Sequence, residues 1–242
     1  LVEGDHDVGN ADLTREEHRT KAMALIGTTI GMSFVASLVL GPILNQWIGV
    51  PGIFWLTSVL GLFGIVVLQM WVPRAAHVRF HHDTQAVPAQ LSTVLKNGQL
   101  ARIDLCIFAP HMMLTATFVV MPLVLRDHVG LPSSHHWYIY LPVMLFTLVI
   151  MVPLVIIAEK KRRMKQMLMG SVVVLALAEF VFSLSINSTA GMVFGLILFF
   201  TAFNLLEAIL PSYIAKVAPP DKKGTAMGAY STSQFLGAFV GG

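Results

Sequence analysis

Charge is what this chain has least of. Lys, Arg, Asp and Glu make up 12% of its 242 residues while 55% are hydrophobic, against about 25% charge in soluble domains. With a mean hydropathy of +0.73, the composition excludes an ordinary water-soluble domain. The net charge of +3 therefore carries no message about nucleic acid. Cysteine is almost missing too: Cys106 stands alone, which rules out an intrachain disulfide and a cysteine metal cluster, and it reads as a small buried apolar residue. Neither a His-Glu-x-x-His nor a Gly-x-Ser-x-Gly pattern occurs, so an intramembrane hydrolase lacks its metal pair or its nucleophile. Nothing calls for a cofactor. Leu1 to Lys21 is polar and acidic rather than basic then apolar, the opposite of a signal peptide.

What is present is a set of seven apolar stretches: Ala22–Ile48, Ile53–Val72, Ile103–Leu125, Tyr138–Ala158, Met167–Ile186, Met192–Ala215 and Gly224–Gly242. Each has about the ~20 residues that a helix needs to cross ~30 Å of hydrocarbon. The scarce cations fall in alternate gaps. Arg15, Arg19 and Lys21 precede the first stretch; Arg74, Arg79, Lys96 and Arg102 follow the second; Lys160, Lys161, Arg162, Arg163 and Lys165 follow the fourth; Lys216, Lys222 and Lys223 follow the sixth. The other gaps hold only Arg126. Basic loops stay on the cytoplasmic side, so the pattern predicts an all-α polytopic membrane protein with about seven crossings and a cytoplasmic N-terminus. A retinal-type receptor is excluded by that orientation and by the lack of a Lys within the seventh stretch. The run Lys160 to Lys165 also suits anionic lipid heads.

The organisation predicted is a polar N-terminal segment (1–21), two helices of one bundle (22–72), a cytoplasmic linker (73–100) and five helices of a second bundle (101–242). The linker carries His77, His81, His82 and Asp83, a poor metal-ligand set because the adjacent histidines have no i, i+4 partner; His128, His135 and His136 read the same way. Arg19-Thr20-Lys21-Ala22-Met23-Ala24 and Lys223-Gly224-Thr225-Ala226-Met227-Gly228 stand 204 residues apart, each at a cytoplasmic helix start. Two copies of one element in a parallel-repeat transporter would look like this.

An acid at mid-bilayer costs roughly 2.5 to 3.5 kcal/mol, so it needs a polar partner, water or a proton. Asp104, His111, Glu179 and Glu207 lie inside the stretches. Thr201, Asn204, Glu207 or Ala208, and Ser212 or Ala215 recur at three- and four-residue steps, giving the sixth stretch a polar, small-residue stripe. Such a stripe lines a cavity or another helix, and a carboxyl there that takes up and releases protons is what proton coupling needs. Glu207 is thus the first candidate proton site, its alternative being a neutral interhelical hydrogen bond. Asp104, His111 and Thr115 share one face; His111 is a candidate relay, and Asp104 reaches either water or Arg102. For Glu179 an interhelical hydrogen bond is favoured. Phe118 and Tyr140 offer apolar contact to a hydrophobic substrate. Pro110, Pro122, Pro142, Pro153 and Pro211 mark kinks.

Some of these segments resemble a known family. Asp12-Leu13-Thr14-Arg15-Glu16, the Ala22-Met23 start and Gly41-Pro42 resemble the region before and within the fifth helix of major facilitator superfamily transporters. Ala158-Glu159-Lys160-Lys161-Arg162-Arg163-Met164-Lys165 resembles the second copy of that superfamily's acidic-then-basic loop. Ala202 to Ala208 and Lys223 to Gly237 are similar to YajR-type bacterial inner-membrane transporters. In the antiporter signature Gly41-Pro42 stands, whereas Ser37 holds a usual glycine position and Asn45 and Gln46 replace the closing glycine pair. The resemblance implies that the stretches are helices five to eleven of twelve, so the chain is expected to be a fragment, inactive alone. It implies a proton-coupled secondary transporter of the bacterial inner membrane, exporting small amphipathic compounds by alternating access; the alternative is a non-transporting membrane scaffold or a truncated product. It makes the seventh stretch cavity-lining, with Tyr230 and Gln234 beside Asn204 and Phe118. By pseudo-symmetry it places Glu159 against Arg19 as a gate. The partners implied are the bilayer, a small-molecule substrate and protons.

Overall fold

The computed structural model describes residues 16–71 and 87–242, and within the first helix most side chains before Ile43 fall outside that description. The histidine-bearing part of the linker, including His77, His81, His82 and Asp83, lies outside the described residues. The chain divides into two units, Leu1–Phe80 and His81–Gly242.

In the first unit the two expected helices both lie within Glu16–Trp71, labelled α1 as a whole, and are separated by a kink at Gly49, whose φ of 65° and ψ of 176° are not helical. The break falls in the gap expected between the two apolar stretches. Gly49 adopts a backbone conformation essentially closed to residues with a Cβ, and Pro51 suits a helix's first turn, where its missing N–H costs nothing.

The second unit contains α2 (Leu91–Leu95), α3 (Gly98–Asp127), α4 (Trp137–Lys160), α5 (Met164–Leu184), α6 (Thr189–Val217) and α7 (Lys223–Gly241). Helix starts follow local chemistry. The Asn97 side chain accepts from the Gln99 and Leu100 amides and begins α3 five residues before the apolar stretch; the Ser188 hydroxyl accepts from Gly191 N–H and begins α6. Among the described residues, five segments are long and apolar enough to cross a membrane: Ile43–Trp71, Gly98–Asp127, Ser133–Lys160, Met164–Leu184 and Thr189–Val217. Helix α7 has 19 residues but is less apolar, because Tyr230, Ser231, Thr232, Ser233 and Gln234 interrupt it. That composition suits a helix enclosed by other helices better than one bathed in lipid.

Helix α6 is the hub. Leu196, Phe199, Leu206, Ile209, Leu210 and Ile214 are almost wholly buried, and α6 packs mainly on α5 and α4 while α3 packs mainly on α7. On α5, by contrast, Val172, Val173, Leu177, Phe180 and Leu184 are exposed. Lipid tails are as apolar as these side chains, so exposure there carries no penalty.

The expected linker is described from residue 87 onward. Its second half is folded onto the bundle: Pro88–Gln90 forms a 3₁₀ turn, α2 packs on α7, and Val94 and Leu100 are buried. Val87 N–H donates to the Thr225 hydroxyl at 2.9 Å, tying this segment to the first turn of α7.

Helix α4 closes with Arg163 N–H on the Ala158 carbonyl and Arg162 N–H on the Glu159 carbonyl, a Schellman arrangement. Its left-handed residue is Arg162, at φ 52°, where glycine is usual. Arg162→Gly is expected to raise stability by about 1 kcal/mol, read as a higher midpoint of thermal unfolding followed by circular dichroism in detergent; a lower midpoint would contradict this account of the turn.

Candidate functional site

Three helices converge on one polar cluster. His111 comes from α3, Glu207 from α6 and Gln234 from α7. His111 Nε2 lies 3.3 Å from Glu207 Oε1, and Gln234 Nε2 lies 2.9 Å from His111 Nε2 and 3.4 Å from Glu207 Oε1. His111 Nδ1 lies 3.0 Å from the Ile107 carbonyl one turn below. That carbonyl can only accept, so Nδ1 carries a hydrogen and Nε2 of the neutral ring is the lone-pair nitrogen. The Gln234 amide donates to this lone pair. Glu207 as a carboxylate would then set two electron-rich atoms against each other at 3.3 Å, whereas a proton on either partner turns the contact into a hydrogen bond.

The surroundings are apolar on one side and open on the other. The His111 ring packs against Phe203, with centroids 5.2 Å apart, and Phe203 continues into Phe199 and Phe200. His111 is buried, but the Glu207 side chain keeps 35% of its exposure, leaving an approach for water. Close backbone contact holds α3 against α7. A Cβ at Gly237 would collide with the Phe108 carbonyl and one at Gly241 with the Met112 carbonyl. The two contacts advance together by four residues, so α3 and α7 run parallel. This Gly-x-x-x-Gly spacing is a readable signal for a tight helix pair that the sequence reading passed over.

The other expected site residues are distributed more widely. Asp104 is buried two turns before His111 on α3, about 10.5 Å along the axis, and its Oδ1 has no hydrogen-bond partner among the described residues. It forms no ion pair with Arg102, one of the two expected outcomes. Tyr230 is buried one turn before Gln234, and its hydroxyl is likewise unpartnered there. Asn204 donates to the Thr147 hydroxyl at 3.3 Å, which gives it a bridging role between α6 and α4. Phe118 lies 5.8 Å from Tyr140 and 5.9 Å from Phe200, ring centre to ring centre. The hydrogen bond expected of Glu179 is not made: its Oε1 is buried without a partner among the described residues, at an apolar cavity of about 480 Å³ that includes Met113, Thr117 and Phe182. Glu159 is exposed on a different cavity, described below, and the side chain of Arg19 lies outside the described residues. His128 contacts Asn187, His135 contacts Ser134, and His136 contacts the Leu131 carbonyl; among the described residues no acidic, histidine and cysteine side chains form a metal-holding group.

Membrane-length helices packed around a central one, with an ionisable cluster shared by three of them, define a polytopic helical membrane protein. The chain belongs to the Major Facilitator Superfamily, whose family model matches residues 10–242. It is 42% identical over 232 residues to the "Inner membrane transport protein YajR" of Escherichia coli (strain K12), covering 96% of this chain and 51% of that protein. It is 27% identical over 232 residues to an "Uncharacterized transporter BU466" of Buchnera aphidicola subsp. Acyrthosiphon pisum (strain APS), covering 96% and 59%. An uncharacterized transporter of Buchnera aphidicola subsp. Schizaphis graminum (strain Sg) is 29% identical over 233 residues, with the same coverage of 96% and 59%. The chain spans between 51% and 59% of the length of these relatives.

Proposed function

We propose that this chain supplies the proton-coupling half of a secondary transporter, an exporter of small amphipathic compounds working by alternating access in a bacterial inner membrane with the chain's N-terminus cytoplasmic. One observation carries the reading: His111 Nε2 and Glu207 Oε1 face each other at 3.3 Å with Gln234 donating to both. Losing the shared proton leaves the carboxylate and the lone pair opposed, held only by one amide, so protonation changes the force between α3, α6 and α7. That is the coupling a proton-driven cycle needs: a chemical event at one atom pair altering helix packing. Asp104 and Tyr230, with buried unpartnered oxygens, extend a polar route from the pair toward the end of the bundle where α3 and α7 begin. Phe118, with Tyr140 and Phe200, forms an aromatic face for the apolar part of a substrate, and Asn204 holds α4 and α6 beside it. Transport rather than enzymatic turnover is the activity.

The test reads the proton directly. Difference infrared spectra of the purified chain between acid and alkaline conditions are expected to contain a carboxylic acid C=O band that disappears in Glu207→Gln and is displaced in His111→Gln. A spectrum unchanged by Glu207→Gln would sink the assignment, leaving Asp104 or Glu179 as the titrating acid.

A further inference from the structure

Away from the His111–Glu207–Gln234 cluster, α4 turns into α5 against the last turns of α6 and borders an open cavity of about 620 Å³ lined by Glu159, Arg162, Met164, Lys165, Tyr213 and Lys216. Three cations share it with one carboxylate. The ion pairs among the described residues, His111–Glu207 and Arg126–Asp127, involve none of them. Lys216 Nζ has only the Met164 thioether, at 3.6 Å, and a thioether sulfur compensates little of an ammonium charge. The 21-residue α5 begins here, with no side chain capping its first amides, so its open N–H groups and the positive end of its dipole add to the same field. The Tyr213 hydroxyl supplies a further donor. Arg162 reaches this cavity from a left-handed position that glycine would occupy at lower cost.

Donors outnumber acceptors around one space, and the ligand they fit is a compact anion with several oxygens: a phosphate monoester or diester. The apolar parts of α4, α5 and α6 all end at this level, which is the depth of lipid headgroups, where anionic phospholipid is concentrated. We propose that the cavity is a phosphate-binding site filled by the headgroup of an anionic phospholipid. Arg162, Lys165 and Lys216 hold the phosphate oxygens, and Glu159 accepts from a headgroup hydroxyl. The lipid anchors this end of the bundle at the boundary between hydrocarbon and water.

Native mass spectrometry of the purified chain in mild detergent tests this with three probes: phosphatidylglycerol, phosphatidylcholine and free glycerol phosphate. Phosphatidylglycerol is expected to be retained in preference to phosphatidylcholine, and its retention is expected to fall roughly fivefold for each of Lys165→Gln and Lys216→Gln. Lys96→Gln, a cation removed elsewhere, leaves retention unchanged. Arg162→Gly is the decisive variant, because it relaxes the turn and so cannot lose the lipid through misfolding; it too is expected to retain less. Equal retention of the two lipids with no variant-sensitive binding of glycerol phosphate, or phosphatidylglycerol retention indifferent to the Lys165→Gln, Lys216→Gln pair, overturns the site. Glycerol phosphate bound with the same sensitivity to the variants and no preference between lipids keeps the phosphate chemistry and overturns the lipid as its source.

Discussion

Replacing Glu207 with Gln is expected to lower pH-gradient-driven transport by roughly a hundredfold, the lower end of what a positioned proton carrier contributes, while protein level and substrate binding survive. The chain matches about half of its relatives' length, so the assay uses a chimaera in which it replaces the matching residues of the 42% identical Escherichia coli protein. The readout is movement of a small amphipathic dye in proteoliposomes under an imposed pH gradient. Gln at position 207 keeps the length and planarity of the carboxyl and can donate its amide hydrogen to His111 Nε2, so the contact between α3 and α6 remains. What it removes is the exchangeable proton. If the dye moves at the parental rate in the Gln variant, Glu207 is a packing residue and the proton is carried at His111, at Asp104 or outside this chain.

The same comparison separates the two partners. His111 holds its tautomer through the Ile107 carbonyl, independently of Glu207, so the imidazole presents a lone pair whether or not the acid is protonated. Proton exchange between them needs no ring rotation. Gln234 matters differently: it carries no exchangeable charge but donates to both members, and it belongs to the helix that must shift if the pair is to alter packing.

How much of this was legible in the sequence follows from which signals are local. Charge in alternate gaps and runs of about twenty apolar residues announce membrane helices because lipid imposes them one segment at a time. Glu207 and His111 stood out for a similar reason, the cost of an ionisable group in hydrocarbon. Their pairing was not legible, since nothing in spacing along α3 or α6 says which faces meet. The folded half of the linker was missed because five residues of α2 carry too short a pattern, and its anchor, Thr225, is 138 residues from Val87. The glycine at position 49 gave a local turn signal, and the break between the two helices falls on it. Asn204 read as a cavity residue because polar stripes mark cavities and helix interfaces alike, and its use depended on Thr147 lying across from it.

The second large effect is structural and concerns the pair of glycines on α7. Gly237→Val is expected to break the association of α3 with α7, since the new Cβ meets the Phe108 carbonyl, a rigid backbone atom that cannot swing aside as a side-chain tip would. Overpacking of this kind costs about 1 to 3 kcal/mol where neighbours can move, and the backbone on both sides places Gly237→Val at the upper end. Gly241→Val meets the Met112 carbonyl in the same way. The measurement is the midpoint of thermal unfolding in detergent together with the infrared carboxyl band. Prising α7 off α3 withdraws Gln234 from His111, so Gly237→Val should both lower the midpoint and displace the Glu207 band, coupling a packing change one helical turn away to the proton-bearing atoms. A Gly237→Val protein that unfolds at the parental midpoint with its carboxyl band in place would mean that α3 and α7 are held apart in the membrane, and that the three-helix cluster is not the coupling element.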